Sequence, residues 1–345
     1  MLDLAKPFVS ICIPVFNGEN YLSNCIESIL DQDYDNFEIL IIDNCSIDST
    51  ASIISSFQDK RIRCIKNNLN IGSLKNFSKC VQNAKGEYFV LLPHDDMLLP
   101  GCLSEFVSKL DNPSVGIVFG AVRIIDQHGV IVSTRIDHSS SKIFTHEESL
   151  INLVDNFMPI QLAMVRTKIL QNFGGFSSQF TLFSDCHLWL RVAIDGWQSY
   201  YCSKAFSSHR VHDNQGQNAF LVQDLEVVSD HMGKKLDKNF WKEHNYNYLF
   251  LRLSEWLISE MTIKSYDPKI LKHVKKSLLK EISSGHLISI LRSLMNRNGF
   301  MFKHEITLIK PMVNFYGFFN VISCYLIVLF SLIKKKFLNL IFDHK

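Results

Sequence analysis

The stretch Tyr88-Phe89-Val90-Leu91-Leu92-Pro93-His94-Asp95-Asp96 decides the reading of this chain. A run of β-forming apolar residues stops abruptly at two adjacent carboxylates. In open α/β sheets, ligands bind outside the carboxyl ends of buried parallel strands. Two hard oxygen donors at such a place suit a Mg²⁺ or Mn²⁺ ion that also touches a substrate phosphate. The plainer alternative is a turn, Pro-His-Asp-Asp, with two solvated acids. Ile39-Leu40-Ile41-Ile42-Asp43, a second buried strand ending in a carboxylate, favours the ligand site.

The residues around these two runs alternate in pattern. Segments 8–15, 37–42, 61–65, 87–92 and 115–119 read as strands. Helices are expected over 19–30, 48–57, 72–84 and 100–110. In the first of them Tyr21, Leu22, Cys25, Ile26, Ile29 and Leu30 recur at helical spacing. Ser46 or Asp48 is the candidate N-cap of the second, and Pro100 falls in the first turn of the fourth. Strands alternating with helices of this length imply right-handed βαβ units and a mostly parallel sheet. After Asp126 the alternation breaks. Gln127-His128-Gly129 reads as a turn between two strands and His138-Ser139-Ser140-Ser141 as a loop. A helix over 146–157, a strand over 162–165 and a helix over 185–194 follow. Beyond Asn214 the pattern is helical and polar, and a soft boundary falls near 215–220.

With 345 residues, of which 47% are hydrophobic, the chain can bury a sizeable core in one large domain with an appendage. A formal net charge of +2 excludes a global pull toward nucleic acid. The 9 cysteines are odd in number and form no Cys-x-x-Cys pair. Cys12, Cys25, Cys45, Cys64 and Cys80 read mainly as small core residues in a reducing cytosol. Met1-Leu2-Asp3-Leu4-Ala5-Lys6-Pro7 carries no apolar core of a secretory signal.

The exit of the first strand is Pro14-Val15-Phe16-Asn17-Gly18-Glu19. A dinucleotide-binding turn needs Gly-x-Gly-x-x-Gly, and only Gly18 is present, so the turn lacks that fingerprint. Phe16 can offer an aromatic surface to a base. Asp43 can accept a hydrogen bond from an imide N–H, the group that marks uracil. Equally, Asp43 and Asp48 can cap their own loop and the next helix. Asp185 sits at or near a helix start, either as an N-cap or as a general base on a rigid element. His209-Arg210-Val211-His212 follows the strand-like run 199–206 and reads first as polar loop.

Together these pieces resemble the family 2 glycosyltransferases, inverting enzymes of the GT-A fold. The resemblance rests on Pro14-Val15-Phe16-Asn17, Ser28-Ile29-Leu30-Asp31-Gln32 and Asp43-Asn44-Cys45-Ser46-Ile47-Asp48. It continues with Asn70-Ile71-Gly72, Ala84-Lys85-Gly86-Glu87-Tyr88, the Asp95-Asp96 pair, Gly174-Gly175-Phe176 and Asp185-Cys186-His187-Leu188-Trp189-Leu190-Arg191. The motifs run in register over about the first 215 residues, and the last third lies outside. The resemblance implies an α/β GT-A architecture, Rossmann-like with helices flanking a mostly parallel sheet, and a helical C-terminal extension. It implies a donor site of Pro14, Val15, Phe16, Asn17, Asp43, Asn70 and Asp95, with Asp43 reading uracil. Asp95 and Asp96 would hold ribose and a Mg²⁺ or Mn²⁺ ion, His212 would supplement the metal shell, and Asp185 would be the catalytic base. One departure is Pro93, which stands where the family's metal motif has its first Asp.

The expected enzyme is a hexosyl- or N-acetylhexosaminyl-transferase that uses a nucleotide sugar, UDP-linked, and a glycan or lipid-linked acceptor. A GT-A scaffold that binds nucleotide sugar without turnover is a rival that Pro93 favours and Asp185 opposes. A sugar nucleotidyltransferase would need a Gly-rich, basic phosphate loop after the first strand, which Asn17-Gly18-Glu19-Asn20 is not. Domains are expected at 1–218, 219–310 and 311–345. Residues 312–333 carry no charge and are followed by Lys334-Lys335-Lys336. That run can lie in the cytoplasmic leaflet, span the bilayer, or pack as a buried or oligomer helix; peripheral attachment to the inner membrane face is the expectation taken forward. A chain truncated at Pro311 should therefore lose partition into vesicles in a flotation experiment; unchanged partition would show that the segment is no anchor.

Overall fold

The computed structural model describes residues 6–155, 162–177, 184–212 and 257–279. The chain divides into two compact units, one of residues 1–149 and 158–220, the other of 150–157 and 221–345.

The first unit is built on strands whose sequences dictate burial on both faces. β1 (Val9–Val15) and β2 (Phe37–Asp43) are buried at every position, as parallel strands covered by helices on both sides require. β3 (Ile62–Lys66) joins β2, and β4 (Tyr88–Leu91) joins the other side of β1. The four are parallel in the order β3-β2-β1-β4. β1 pairs with β2 from Val9–Phe37 to Val15–Asp43, but with β4 only as far as Cys12–Leu91. Pro14, which has no N–H to give, thus lies beyond the β4 ladder. The connecting helices are α1 (Leu22–Leu30), α2 (Thr50–Ser56) and α3 (Ser73–Asn83). α1 buries Leu22, Cys25, Ile26 and Ile29, one stripe at helical spacing.

The sheet then continues with mixed polarity. β5 (Met97–Leu98), α4 (Cys102–Leu110), β6 (Val115–Ile125), β7 (Ile131–Arg135), β8 (Lys142–Phe144) and α5 (His146–Asp155) follow in the chain. β9 (Ala163–Arg166), α6 (Thr167–Asn172), α7 (Ser184–Ile194) and β10 (Gln198–Arg210) complete it. The full strand order is β3-β2-β1-β4-β9-β6-β10-β5, with β7 on β6 and β8 on β10. β9 is antiparallel to both neighbours, while β6 and β10 are parallel to each other. The architecture is a mostly parallel α/β sheet flanked by helices.

Several boundaries differ from the sequence pattern for local reasons. α1 starts at Leu22, because the Gly18 carbonyl first accepts the N–H groups of Tyr21 and Leu22 in a turn. α2 starts at Thr50 after Ser49, so neither Ser46 nor Asp48 is its N-cap; Asp48 Oδ1 accepts the Thr50 N–H at 3.0 Å from just outside. α4 starts at Cys102 behind Gly101, which takes φ 81° as the N-cap, so Pro100 precedes the helix. β5, β8 and α6 are too short to leave a periodic signature. Cys45 is half-buried and Cys64 exposed, so these two are not core residues.

In the second unit, helices at 257–263 and 268–279 bury Leu257, Ile258, Met261, Val274, Leu278 and Leu279. Asp267 caps the latter by accepting the Lys269 N–H at 2.6 Å, with Pro268 in the first turn. The expected boundary at 215–220, most of 219–310 and all of 311–345 lie outside the described residues. Among the described residues no helix is long and apolar enough to cross a membrane.

A polar cluster locks the lower ends of the central strands. Glu38 Oε1 accepts the Ser10 hydroxyl at 2.7 Å and the Lys85 N–H at 3.0 Å, and Oε2 takes Arg63 at 2.9 Å. Gly86 sits against this cluster so closely that a Cβ would strike the Ser10 nitrogen and lie 2.8 Å from the Phe8 carbonyl. Burial alone would raise the Glu38 carboxyl, but the Ser10 hydroxyl, the Lys85 N–H and Arg63 outweigh it and hold it below the usual range. Its ionised form therefore stabilises the fold above the unfolded value of about 4.3, and that contribution is lost as pH falls through the lower folded value. Glu38→Ala should cost about 3 kcal/mol in chemical denaturation at neutral pH, with the deficit shrinking in acid. A deficit that does not vary with pH would refute the ionised cluster.

Candidate active site

The loops leaving β1 and β2 at their carboxyl ends are stitched together. Asn44 N–H donates to the Val15 carbonyl at 2.8 Å. Asn17 N–H donates to Ser46 Oγ at 2.9 Å, and Asn17 Oδ1 accepts the Ile47 N–H at 3.0 Å. Gly18 N–H reaches Thr50 Oγ1 at 2.8 Å, Glu19 N–H donates to Asp48 Oδ2 at 3.0 Å, and Glu19 Oε2 accepts the Ser49 N–H at 3.1 Å. Asn17 and Cys45 both hold positive φ, 53° and 68°, at these exits. For a cysteine this left-handed conformation costs roughly 1 kcal/mol, retained only because the surrounding bonds impose it.

The expected donor residues take distinct places on this frame. Pro14 and Val15 are buried strand residues, whereas the Phe16 ring is open, 43% exposed. Asp43 is buried at the tip of β2. Its Oδ1 accepts the Ser46 N–H at 2.8 Å, so the loop-capping role is present, while Oδ2 faces Lys66 at 3.6 Å. Asn70 lies on the loop after β3 and is tied to Asn44 at 2.8 Å.

The second half of the site is the turn after β4. Asp96 N–H closes it on the Pro93 carbonyl at 3.1 Å, and β5 then pairs antiparallel with β10. That pairing delivers the end of β10 to the turn. His212 Nε2 lies 3.1 Å from Asp95 Oδ2, both side chains being largely shielded. Asp96 is turned inward. Its Oδ1 accepts the Arg210 N–H at 2.9 Å, and both oxygens lie within 3.2 Å of His209 Nδ1. Burial works against a charged His209, but the Asp96 carboxylate outweighs it and lifts the imidazole above its usual value. The sequence pattern treats His209 and Arg210 as loop residues; they are the last two residues of β10.

Arg210 is buried and braces this turn. Its Nε donates to the Asp95 carbonyl at 3.0 Å, and Nη1 reaches the Asp126 carbonyl at 3.1 Å and Gln127 at 3.3 Å. The guanidinium lies 4.6 Å from the Tyr21 ring centre, and Tyr21 in turn packs on His212 at 5.1 Å. Gly18 closes the gap between the two halves, since a Cβ there would lie 2.9 Å from the His94 ring. Tyr21, His209 and Arg210 carry no sequence signal for this role, because their partners are remote in the chain.

Asp185 occupies the first turn of α7. Burial pushes its carboxyl above the usual range, with the Cys186 N–H at 2.7 Å pulling the other way. Arg191 fastens α7 to the Gly174-Gly175-Phe176 corner through the Phe173 carbonyl at 3.0 Å. Gly174 and Gly175 hold φ 73° and 80° there, and Ser78 of α3 lies against Gly175. Among the described residues no group of three or more His, Cys, Asp and Glu side chains converges as a ready-made metal centre; the protein offers the Asp95–His212 pair.

Comparison with known proteins agrees with this architecture. Residues 10–174 match the family described as Glycosyl transferase family 2. An uncharacterized glycosyltransferase of Rickettsia typhi is 33% identical over 244 residues, covering 68% of this chain and 74% of that protein. TuaG of Bacillus subtilis, whose name assigns it provisionally to teichuronic acid biosynthesis, is 24% identical over 61% of this chain and 81% of its own. Among solved structures, TarS of S. aureus in complex with UDP-GlcNAc superposes with a TM-score of 0.55 at 14% identity, covering 86% of this chain and 90% of that one. The chain belongs to glycosyltransferase family 2: it is a glycosyltransferase of the GT-A fold.

Replacing Arg210 by Met would leave the Asp95 and Gln127 carbonyls without this donor and the Asp126 carbonyl with the Gly129 N–H alone. Arg210→Met is expected to cost about 3 kcal/mol in urea denaturation. A variant as stable as the wild type would show that the brace holds nothing.

Proposed function

We propose that this glycosyltransferase moves a sugar from a UDP-sugar to a glycan acceptor in surface polysaccharide synthesis, with inversion at the anomeric carbon. The observation that carries the reading is the placement of Asp43 and the Asp95–His212 pair after β2 and β4, on either side of β1. A nucleotide sugar has its base at one end and its diphosphate toward the other, and Asp43 and the Asp95–His212 pair would meet these two ends. The Asp43 oxygen not taken by Ser46 accepts the uracil imide N–H, and Phe16 presents its ring to the base. TarS, similar in fold, was captured with UDP-GlcNAc, which supports a UDP donor.

The donor set at Asp95 fits a divalent cation. One carboxylate and one imidazole with their facing atoms 3.1 Å apart match the spacing of about 3 Å between adjacent ligands on an octahedral ion. Asp95 and His212 would hold it, with Asp96 positioning the turn from behind through His209 and Arg210. Such an ion supplies positive charge to the departing diphosphate.

Asp185 takes the proton from the acceptor hydroxyl while that oxygen bonds to the anomeric carbon. The bond from that carbon to the UDP oxygen breaks on the opposite face. A raised carboxyl is a stronger base than an ordinary one. The provisional name of TuaG supports a bacterial polysaccharide as product. The uncharged run 312–333 and its three lysines support a lipid-linked acceptor met at the cytoplasmic membrane face.

Calorimetry with UDP, with and without Mn²⁺, beside GDP and dTDP, tests the donor. Metal-dependent, UDP-selective binding that Asp95→Ala weakens is expected. Asp185→Asn should lower kcat by about 10³-fold with donor binding unchanged. Wild-type turnover by Asp185→Asn would remove it from the base's role. Selective binding of another nucleotide would change the donor.

A further inference from the structure

The hairpin of β6 and β7 exposes apolar side chains that the proposed reaction does not use. Val130, Ile131 and Val132 are 61%, 56% and 66% exposed, and among the described residues no other three consecutive large apolar residues are so open. The tract Gly129-Val130-Ile131-Val132-Ser133-Thr134 carries no charge. β7 pairs with β6, and among the described residues no strand covers its other edge. The hairpin is fixed to the site at its turn. Asp126 N–H donates to the Val130 carbonyl at 2.9 Å, and Asp126 Oδ1 accepts the His128 and Val130 N–H groups, each at 2.9 Å. The Arg210 guanidinium that holds the Asp95 carbonyl also holds those of Asp126 and Gln127. The exposed tract therefore keeps a set position relative to the turn that carries Asp95.

A second copy of the chain would add its own strand to the open edge, but the ladder is irregular there. Ile131 faces Ile125 and Ser133 faces Ile124, so Val132 is left over as a bulge, a device that spoils edge-to-edge pairing. Three aliphatic side chains also fall far short of the roughly 800 Å² per partner that a stable protein interface buries. A glycan would be met by aromatic rings and hydrogen-bonding side chains, and Val130, Ile131 and Val132 offer neither. A fluid apolar layer needs no ladder and little area. The charges nearby suit one of anionic lipid. The Asp126 carboxylate is occupied by its own turn, and Asp137 is neutralised by Arg135 at 2.8 Å. Arg123 stands opposite Thr134 in the ladder. Lys142 opens β8 near the end of β7, since it pairs with Tyr201, whose hydroxyl accepts the Asp137 N–H at 2.9 Å. Among the described residues neither Arg123 nor Lys142 forms an ion pair.

We infer that the β6–β7 hairpin rests on an anionic lipid surface, with Val130, Ile131 and Val132 entering the apolar layer and Arg123 and Lys142 meeting the headgroups. The contact brings the turn that carries Asp95 to the membrane, where a lipid-linked acceptor is held. This rests on the membrane-face reading above. A contact of this size holds a protein only reversibly, and stable attachment takes a second signal. The uncharged run 312–333 and its three lysines offer that signal in the sequence.

The test is flotation of the full chain with vesicles of phosphatidylcholine, with and without phosphatidylglycerol, and melting temperatures alongside. Val130→Ser, Ile131→Ser and Val132→Ser combined should lower partition about tenfold with the melting temperature unchanged, since all three side chains are exposed. Lys142→Gln should weaken partition about fivefold with phosphatidylglycerol present and leave it unchanged without. Hydrogen exchange on the wild-type chain needs no variant: the amides of residues 130–135 should slow when vesicles are added. Wild-type flotation that the triple variant retains, with exchange at 130–135 unmoved by lipid, would overturn the hairpin contact and leave the membrane reading to the tail. Exchange that slows with protein concentration in the absence of lipid would give the edge to a second copy and overturn the lipid contact. A wild-type chain that floats with neither vesicle would overturn the membrane reading and the hairpin with it.

Discussion

The buried Asp96 carboxylate holds the rest of the site in place. It receives the Arg210 N–H and the His209 ring from a strand end 113 and 114 residues away in sequence. A carboxylate that is 4% exposed needs such partners, because an unpaired buried charge is strongly unfavourable. Its grip fastens the turn after β4 to the end of β10. That in turn sets Asp95 opposite His212 and places the Arg210 guanidinium under the Asp95 carbonyl. Two adjacent acids thus take different partners: Asp95 pairs with His212, and Asp96 holds the turn.

The carboxyl ends of β2 and β3 use another kind of support. There, beside the buried Asp43 carboxylate and its Lys66 partner, the asparagine amides are linked to each other and to Lys79, while Glu38 and Arg63 lie at the opposite ends of the strands. In a low-dielectric setting a fully connected amide network rigidifies its surroundings. The strained exits at Asn17 and Cys45 belong to the same design, since both loops are pinned by bonds from their neighbours.

Much of the fold was legible in the residues. β1, β2 and β4 are short apolar runs bounded by turn residues, and α1 and α4 carry apolar stripes at helical spacing. Helix starts were less legible. The Gly18 carbonyl, through its turn, and Gly101, through its φ of 81°, shift the starts of α1 and α4 inward in ways that side-chain pattern does not encode. β5 and β8 are strands only because β10 pairs with them. At the site, Asp43 and Asp95 were visible as acids ending apolar runs. Asp96 could not be separated from Asp95 by sequence, since adjacent residues in a turn look alike until one finds a buried partner.

The sequence by itself determined the alternation of elements, the parallel core and the family's motifs, because periodicity and strand-end chemistry are local properties. It also determined that acids would stand at the carboxyl ends of two strands. Only the tertiary structure decided which of the two acids is buried, that His209 and Arg210 close a strand, and that Lys79, Asn67, Asn44 and Asn70 are joined by hydrogen bonds. Those outcomes depend on contacts between residues far apart in the chain, where hydrogen-bond geometry and burial, rather than residue type, select the partner.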